Sequence, residues 1–379
     1  MLYVGIAKGD EIQNFFMKKL YYLSTIVVIL ICVLSFNKSN AQGCVAIRST
    51  GGMSCDMHHP DDTTSKWQLS INNRYYKSYK HFVGTKEQKQ RQALGNEVIN
   101  HAYTMDLGLT REISQRWSVF LDIPIVANSR SSLYEHANVG RYLTHSFGVG
   151  DIRFAAYSWL WNPARHHKGN VQLGLGIKLP TGNYDYQDYF HTTDSTKILG
   201  PVDQSIQLGD GGTGITLEIN TYYNISPAIN LYGNFYYLSN PREQNSVSTA
   251  RGGTPSPKAI ANGSDVMSVP DQYMARVGAN FNVHNWIFSV GVRDECLPVH
   301  DLIGGSNGFR RPGYIISGEP GVTLKLNKVN LYAFVPVAIV RNRTQSVPDK
   351  ITTELTGVYT HGDAAFADYT INIGANIRF

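Results

Sequence analysis

Tyr369-Thr370-Ile371-Asn372-Ile373-Gly374-Ala375-Asn376-Ile377-Arg378-Phe379 ends the chain and carries two unlike faces. Tyr369, Ile371, Ile373, Ala375, Ile377 and Phe379 fall on one side of an extended strand, and Thr370, Asn372, Gly374, Asn376 and Arg378 on the other. Side chains in a strand alternate with a period of two, so this segment needs oil on one face and water on the other. The same rhythm recurs upstream. Trp286, Phe288, Val290 and Val292 alternate with Ser289, Gly291 and Arg293, and Val171, Leu173, Leu175, Ile177 and Leu179 with Gln172, Gly174, Gly176 and Lys178. Tyr273 to Val283 makes another apolar stripe, and Trp117, Val119, Leu121, Ile123 and Ile125 one more.

Such segments predict about twelve strands, near residues 67–82, 98–113, 116–127, 149–161, 170–179, 213–225, 228–239, 271–283, 285–293, 313–326, 329–341 and 367–379. Short links at Ser114-Gln115, Asn162 to Gly169, Ser226-Pro227, His284 and Asn327-Lys328 alternate strictly with long polar ones at 83–97, 128–148, 180–212, 240–270, 294–312 and 342–366. An outer-membrane barrel sorts its connections this way, with tight periplasmic turns, long extracellular loops and both chain ends on the periplasmic side. In hydrocarbon every backbone N–H and C=O must be paired within the protein, so a spanning sheet has to close without a free edge. The expected fold is all-β, a transmembrane antiparallel up-and-down β-barrel. Its expected partners are outer-membrane lipid and, through the alternating stripe that ends at Phe379, the barrel-assembly machinery.

The other end reads as an address. Lys18 and Lys19 precede an apolar run from Leu20 to Phe36, and Ser39 and Ala41 occupy the small-residue places of a cleavage site, which predicts export and cleavage after Ala41. Met1 to Phe16 precede the better start at Met17 and read as a spurious extension. The cleavage pattern disfavours a retained anchor, and Gln42, close ahead of Cys44, disfavours a lipoprotein. Residues 42–66 then form an N-terminal periplasmic or plug segment and 67–379 the barrel of a Gram-negative outer-membrane protein. In an oxidising compartment Cys44 and Cys55 could close a small loop and leave Cys296 unpaired.

The composition agrees. At 42% hydrophobic and 17% charged the chain is too apolar for disorder, and its 4 cysteines in 379 residues are too few for a disulfide scaffold. A formal charge of +5 without a run of five basic residues makes nucleic acid a poor partner. The 23 tyrosines and 35 glycines, with no long Glu/Lys/Ala/Leu stretches, lean toward strands.

Barrels of about eight strands are filled by side chains and those of 16 to 18 hold an open channel, so twelve predicts a narrow polar passage, constricted by an inward loop or by residues 42–66. The alternation turns Arg74, Asp106, Glu112, Asp122, Asp151, Arg153, Lys178, Glu218, Arg276, Arg293, Glu319, Lys325 and Arg378 toward this lumen. Both signs occur in similar numbers, which favours ion pairs bracing the wall over strong selectivity for anions or cations.

Phe147-Gly148-Val149-Gly150-Asp151-Ile152-Arg153, Leu173 to Gly182 with its Leu179-Pro180-Thr181-Gly182 ending, and Leu208-Gly209-Asp210-Gly211-Gly212-Thr213-Gly214 resemble the strand-and-loop motifs of the phenol-degradation (meta-pathway) transporter family of outer-membrane barrels. The resemblance implies a barrel and uptake of small, often aromatic or apolar, compounds.

Other signals weigh less. Gly209, Gly211 and Gly214 have GxGxxG spacing but lead into the alternating segment Ile215 to Ile225, leaving no helix N-terminus for a pyrophosphate. Cys55, His58, His59 and Asp61 could ligate zinc, yet a polar tail explains them as well, so no metal or cofactor is expected. His166 and His167 fall in a periplasmic turn. An outer-membrane hydrolase would need a nucleophile and an oriented base; His101 and Ser289 are available, but no GxSxG occurs and nothing fixes them as a pair. A structural or adhesive barrel acting through Asn183-Tyr184-Asp185-Tyr186 and the Pro241 to Pro270 stretch is the third class. The sequence favours a monomeric, non-enzymatic channel for passive passage of a small solute.

Overall fold

The computed structural model describes residues 66–379. The export signal, nearly all of the 42–66 segment and the Cys44, Cys55, His58, His59 and Asp61 group lie outside the described residues.

Twelve antiparallel strands close into a barrel. In chain order they are β1 (Trp67–Val83), β2 (Ile99–Glu112), β3 (Trp117–Ser132), β4 (Tyr142–Val149, continued as Arg153–Trp159), β5 (Gly169–Lys178) and β6 (Gly214–Ser226). There follow β7 (Ile229–Ser239), β8 (Gln272–Val283), β9 (Trp286–Leu297), β10 (Gly313–Leu326), β11 (Val329–Phe334, continued as Val337–Arg343) and β12 (Ala364–Arg378). Each pairs with its neighbours in sequence, and β12 pairs with β1 from Gln68↔Arg378 to Phe82↔Ala364 to close the ring. At the seam the terminal residues exchange backbone hydrogen bonds: Trp67 N donates to Phe379 O at 3.2 Å and Phe379 N to Trp67 O at 3.0 Å.

The barrel is inside out by the standard of a water-soluble protein. Leu175, Val277, Phe288, Val290 and Ile373 stand 50–63% exposed on its exterior, whereas Ser70, Asn72, Asn220, Asn280 and Thr323 are at most 3% exposed within. Trp67, Trp117, Trp161, Tyr223, Trp286 and Phe379 are all exposed at the short-turn end. An apolar band bounded by aromatic side chains fits hydrocarbon meeting headgroups.

Several interior glycines receive an aromatic ring from the next strand. A Cβ on Gly174 would meet Tyr157 Cε1 at 2.4 Å, and one on Gly374 would meet the Tyr332 ring at 2.4 Å. Rings thus lie flat across inward positions that look empty in the sequence.

The structure corrects the expected 128–148 loop. β3 runs on to Ser132 and the upper part of β4 begins at Tyr142, paired from Ser132↔Tyr142 to Ile125↔Val149. Asn128, Arg130 and Ser132 face inward there and are buried, and their polar outward neighbours gave no apolar stripe to read. The long loops carry a hairpin, Gln187–His191 with Lys197–Pro201, and a helix, Val347–Thr356, started by a Ser346–Asp349 capping box. Two ladders are interrupted toward the long-loop end. Among the described residues the Tyr142–Val149 segment has no partner strand on its β5 side, and the Val337–Arg343 segment has one ladder pair with β12, Val337↔Tyr369, where Arg341 stitches the gap to Ala367 O at 3.0 Å and Asp368 at 2.7 Å.

Candidate functional site

The interior is layered. Nearest the short turns, amides interlock: Asn234 donates to Asn220 at 2.9 Å, Asn280 to Asn230 at 2.7 Å, and Ser289 to Asn280 at 2.7 Å. Asn220 also donates to Gln172 at 3.3 Å.

Above them lies a ring of charge. Arg74 on β1 reaches Glu295 on β9 at 3.6 Å, although three strands lie between them along the wall on the shorter side, so this pair crosses the interior. Glu295 also pairs with Arg293 at 2.9 Å. Arg293 shares Glu319 with Arg276, the former at 3.3 Å. On the facing wall Arg153 pairs with Glu218, which also accepts from Tyr157 Oη at 3.0 Å, and Asp122 stands 3.9 Å from Arg153. Asp106 accepts from Asn72 at 3.3 Å. These nine charged residues are only 1–7% exposed. Arg153 lies 5.1 Å from the Phe120 ring centroid, and Arg276 lies 5.6 Å from that of Tyr232 and 5.4 Å from that of Phe334. Mutual pairing and aromatic faces keep such charges tolerable away from bulk water.

Toward the long loops the three glycine-rich stretches meet. Lys178 Nζ donates to Asp151 at 3.0 Å, Asp210 at 2.5 Å and the Gly212 carbonyl at 2.6 Å. Asp151 also accepts from Gly182 N at 3.0 Å, while Thr181 Oγ1 donates to Gly150 O at 2.9 Å and accepts from Ile152 N at 2.8 Å. These bonds staple the break in β4 to the loop after β5. Glycine is required at 209, where a Cβ would meet Asp151 Oδ1 at 2.4 Å. The Gly209–Gly214 run is a loop opening into β6, with no helix following it.

The staple forms the floor of a chamber of about 90 Å³ inside the barrel, whose other lining includes Tyr236, Leu238, Met267 and Leu297. A second cavity of about 340 Å³, the vestibule, lies at the long-loop end of β1, β3 and β12 and is otherwise lined by loop residues. Arg311 lines both cavities and is the one residue common to their linings. Its guanidinium grips Asp203 with two bonds, 2.8 and 2.6 Å. Arg130 approaches Asp203 at 3.4 Å and pairs with Glu135 at 2.9 Å, and Arg251 adds a bond to Glu135 at 3.0 Å. Neighbouring Arg310 is bidentate on Asp301, at 2.7 and 2.6 Å. Burial alone would raise the Asp203 carboxyl, but Arg130 and Arg311 outweigh it and hold the group well below the ordinary carboxylate range.

The structure thus places Arg74, Asp106, Asp122, Arg153, Glu218, Arg276, Arg293 and Glu319 in the ring, and Asp151 and Lys178 in the staple. Glu112 is exposed and Lys325 and Arg378 half-buried at the short-turn end, where Arg378 donates to Gln68 at 3.4 Å. They take no part in either group. His101 and Ser289 stand apart: His101 binds Tyr75 Oη at 2.7 Å among exposed groups, whereas Ser289 is buried on the interior amides. The carbonyls of His166 and His167 accept from Tyr222 at 3.2 Å and Asn224 at 2.6 Å in their turn. Sequence reasoning missed Arg130, Glu135, Asp203, Glu295, Arg310 and Arg311. Glu295 continues the β9 alternation past the expected end at 293, and the adjacent Arg310-Arg311 pair in a long polar loop was the available signal for the rest.

No protein-family model matches the chain, and no curated protein does. Solved structures do resemble it. An outer-membrane channel of Pseudomonas putida F1 superposes with a TM-score of 0.52 at 11% identity, over 83% of this chain and 96% of that one. The chain shares that fold. The β domain of the Bordetella autotransporter BrkA gives 0.42 at 10% identity, over 83% and 100% of the two chains. A Pseudomonas aeruginosa FadL homologue gives 0.42 at 8%, over 83% and 91%.

Proposed function

We propose that this protein is an outer-membrane channel that admits a small solute from the long-loop, extracellular side to the periplasm without chemistry. The observation that carries this reading is the pair of cavities inside the barrel wall, vestibule and chamber, with Arg311 lining both. The exposed apolar band and the aromatic belt support residence in a bilayer. On this reading cleavage after Ala41 and delivery through the Phe379 strand precede insertion, and the barrel works as a monomer. Ion pairs of the charge ring cross the interior, as Arg74 does to Glu295, so on this reading the passage opens by exchange of ion-pair partners. The solute class implied by the resemblance of the glycine motifs is small and aromatic or apolar-bodied. Rings that line the two cavities, Tyr236 in the chamber and Tyr134 in the vestibule, offer faces to such a body.

Liposome swelling with purified, refolded protein tests the proposal across sugars, amino acids and small aromatic compounds. Entry of small aromatic compounds faster than of sugars of similar mass is expected. Swelling no faster than that of protein-free liposomes for every solute would remove the channel reading.

A further inference from the structure

We infer that the vestibule is a binding site for a small organic acid with an apolar body, and that its carboxylate is taken by Arg311 in exchange for Asp203. The inference rests on the channel reading and specifies its solute. Four guanidiniums, from Arg91, Arg130, Arg251 and Arg311, gather at this cavity and its immediate rim. The carboxylates facing them are Glu135, Asp203 and Asp363. The group therefore carries one excess positive charge even with His81 neutral. Arg91 is the most solvent-exposed of the four side chains, at 31%, and Asp363 takes one of its nitrogens at 2.6 Å. The rest of the lining mixes apolar or aromatic side chains, Val98, Leu133, Tyr134, Ala364 and Ala365, with the amides Asn96 and Asn138.

This combination is chemically selective. A planar guanidinium fork matches a carboxylate in two-point geometry, and the buried patch of Val98, Ala364 and Ala365 rewards a hydrocarbon or ring more than a sugar. A cavity of about 340 Å³ suits a one-ring acid. Arg311 already displays the required geometry, because Asp203 occupies its fork with both oxygens. A solute carboxylate that reaches the floor of the vestibule can substitute for Asp203 with the number of charge-assisted bonds conserved. Arg311 then remains paired while its tie to the loop carrying Asp203 is broken, and the wall between vestibule and chamber loosens only when a solute of the right charge is present.

Calorimetric titration of the refolded barrel in detergent tests this, using benzoate as the probe and benzamide, acetate and inorganic phosphate as comparisons. Benzoate is expected to bind about tenfold or more tightly than each of the three, since each lacks either the charge or the ring. Arg311→Gln should weaken benzoate binding by about tenfold, and Asp203→Asn, which removes the competing carboxylate, should strengthen it. Heat-modifiable migration in gel electrophoresis shows whether each variant is a folded barrel; should Arg311→Gln fail that check, Arg91→Gln takes its place and should weaken binding in the same direction. Equal binding of benzoate and benzamide, phosphate binding as tightly as benzoate, or benzoate affinity unchanged in the folded variants would each overturn the inference. Swelling assays separate it from the channel reading: benzoate bound yet never entering liposomes would leave the site standing and remove the channel, and aromatic entry without benzoate binding would do the reverse.

Discussion

Glu319 is the carboxylate on which two guanidiniums from different strands, Arg276 and Arg293, converge at 1% exposure. Replacing it with Gln keeps the volume and removes the shared charge. Breaking a buried pair by deleting one partner costs about 3 kcal/mol or more, so Glu319→Gln should lower stability by that order in denaturant-induced unfolding from detergent micelles. Charge reversal at Arg276 or Glu218 is expected to shift the reversal potential of any current measured under a salt gradient across a planar bilayer, because both side chains belong to the charge ring inside the barrel. Asp203 supplies a pH prediction. A carboxyl held below its unfolded value contributes stability that is complete above the unfolded value and lost only as pH falls through the folded one. The Arg311–Asp203 clamp should therefore hold from pH 7 down through the ordinary carboxylate range, near 4, and amide exchange in residues 203–212 should show no loss of protection across that interval. Most inward charges on strands were legible in the sequence, since alternation alone assigns a face. Their partners were not, because Arg74 and Glu295 meet through space the chain does not record.

Exterior and interior positions of one strand should respond in opposite ways. An Arg at Leu175 or Val290, both exposed on the apolar band, is expected to cost about 2 to 4 kcal/mol near the bilayer midplane, measured as the free energy of refolding into lipid vesicles. At the staple the expected effect is on the passage: Gly209→Val drives a side chain into Asp151, loosens the tie between β4 and the loop after β5, and should raise single-channel conductance with the barrel still assembled. Equal outcomes from the two kinds of substitution would contradict the assigned faces. Strand order and most boundaries followed from period-two stripes and from the turns between them. The upper part of β3 did not, because Asn128 to Ser132 is polar on both faces and a stripe argument finds only strands with one apolar side; in the upper part of β4 the stripe of Leu143, Phe147 and Val149 was legible but broken by His145.

For the whole molecule, ion pairs that cross the interior separate this barrel from an open pore, and it should conduct in small, brief steps. Strand number was readable from the alternation of short and long connections. How full the interior is was not, since inward glycines read as empty space until the neighbouring strand's tyrosine lies across them. The seam has one further consequence. The first strand, from Trp67, closes on the last one, which runs to Arg378, so the hoop needs both ends of the barrel segment. A chain cut before β12 would leave a ribbon with raw borders on β1 and β11, unable to rest in lipid. Closure is therefore the longest-range contact in the fold, and any intermediate that lacks it keeps two raw edges.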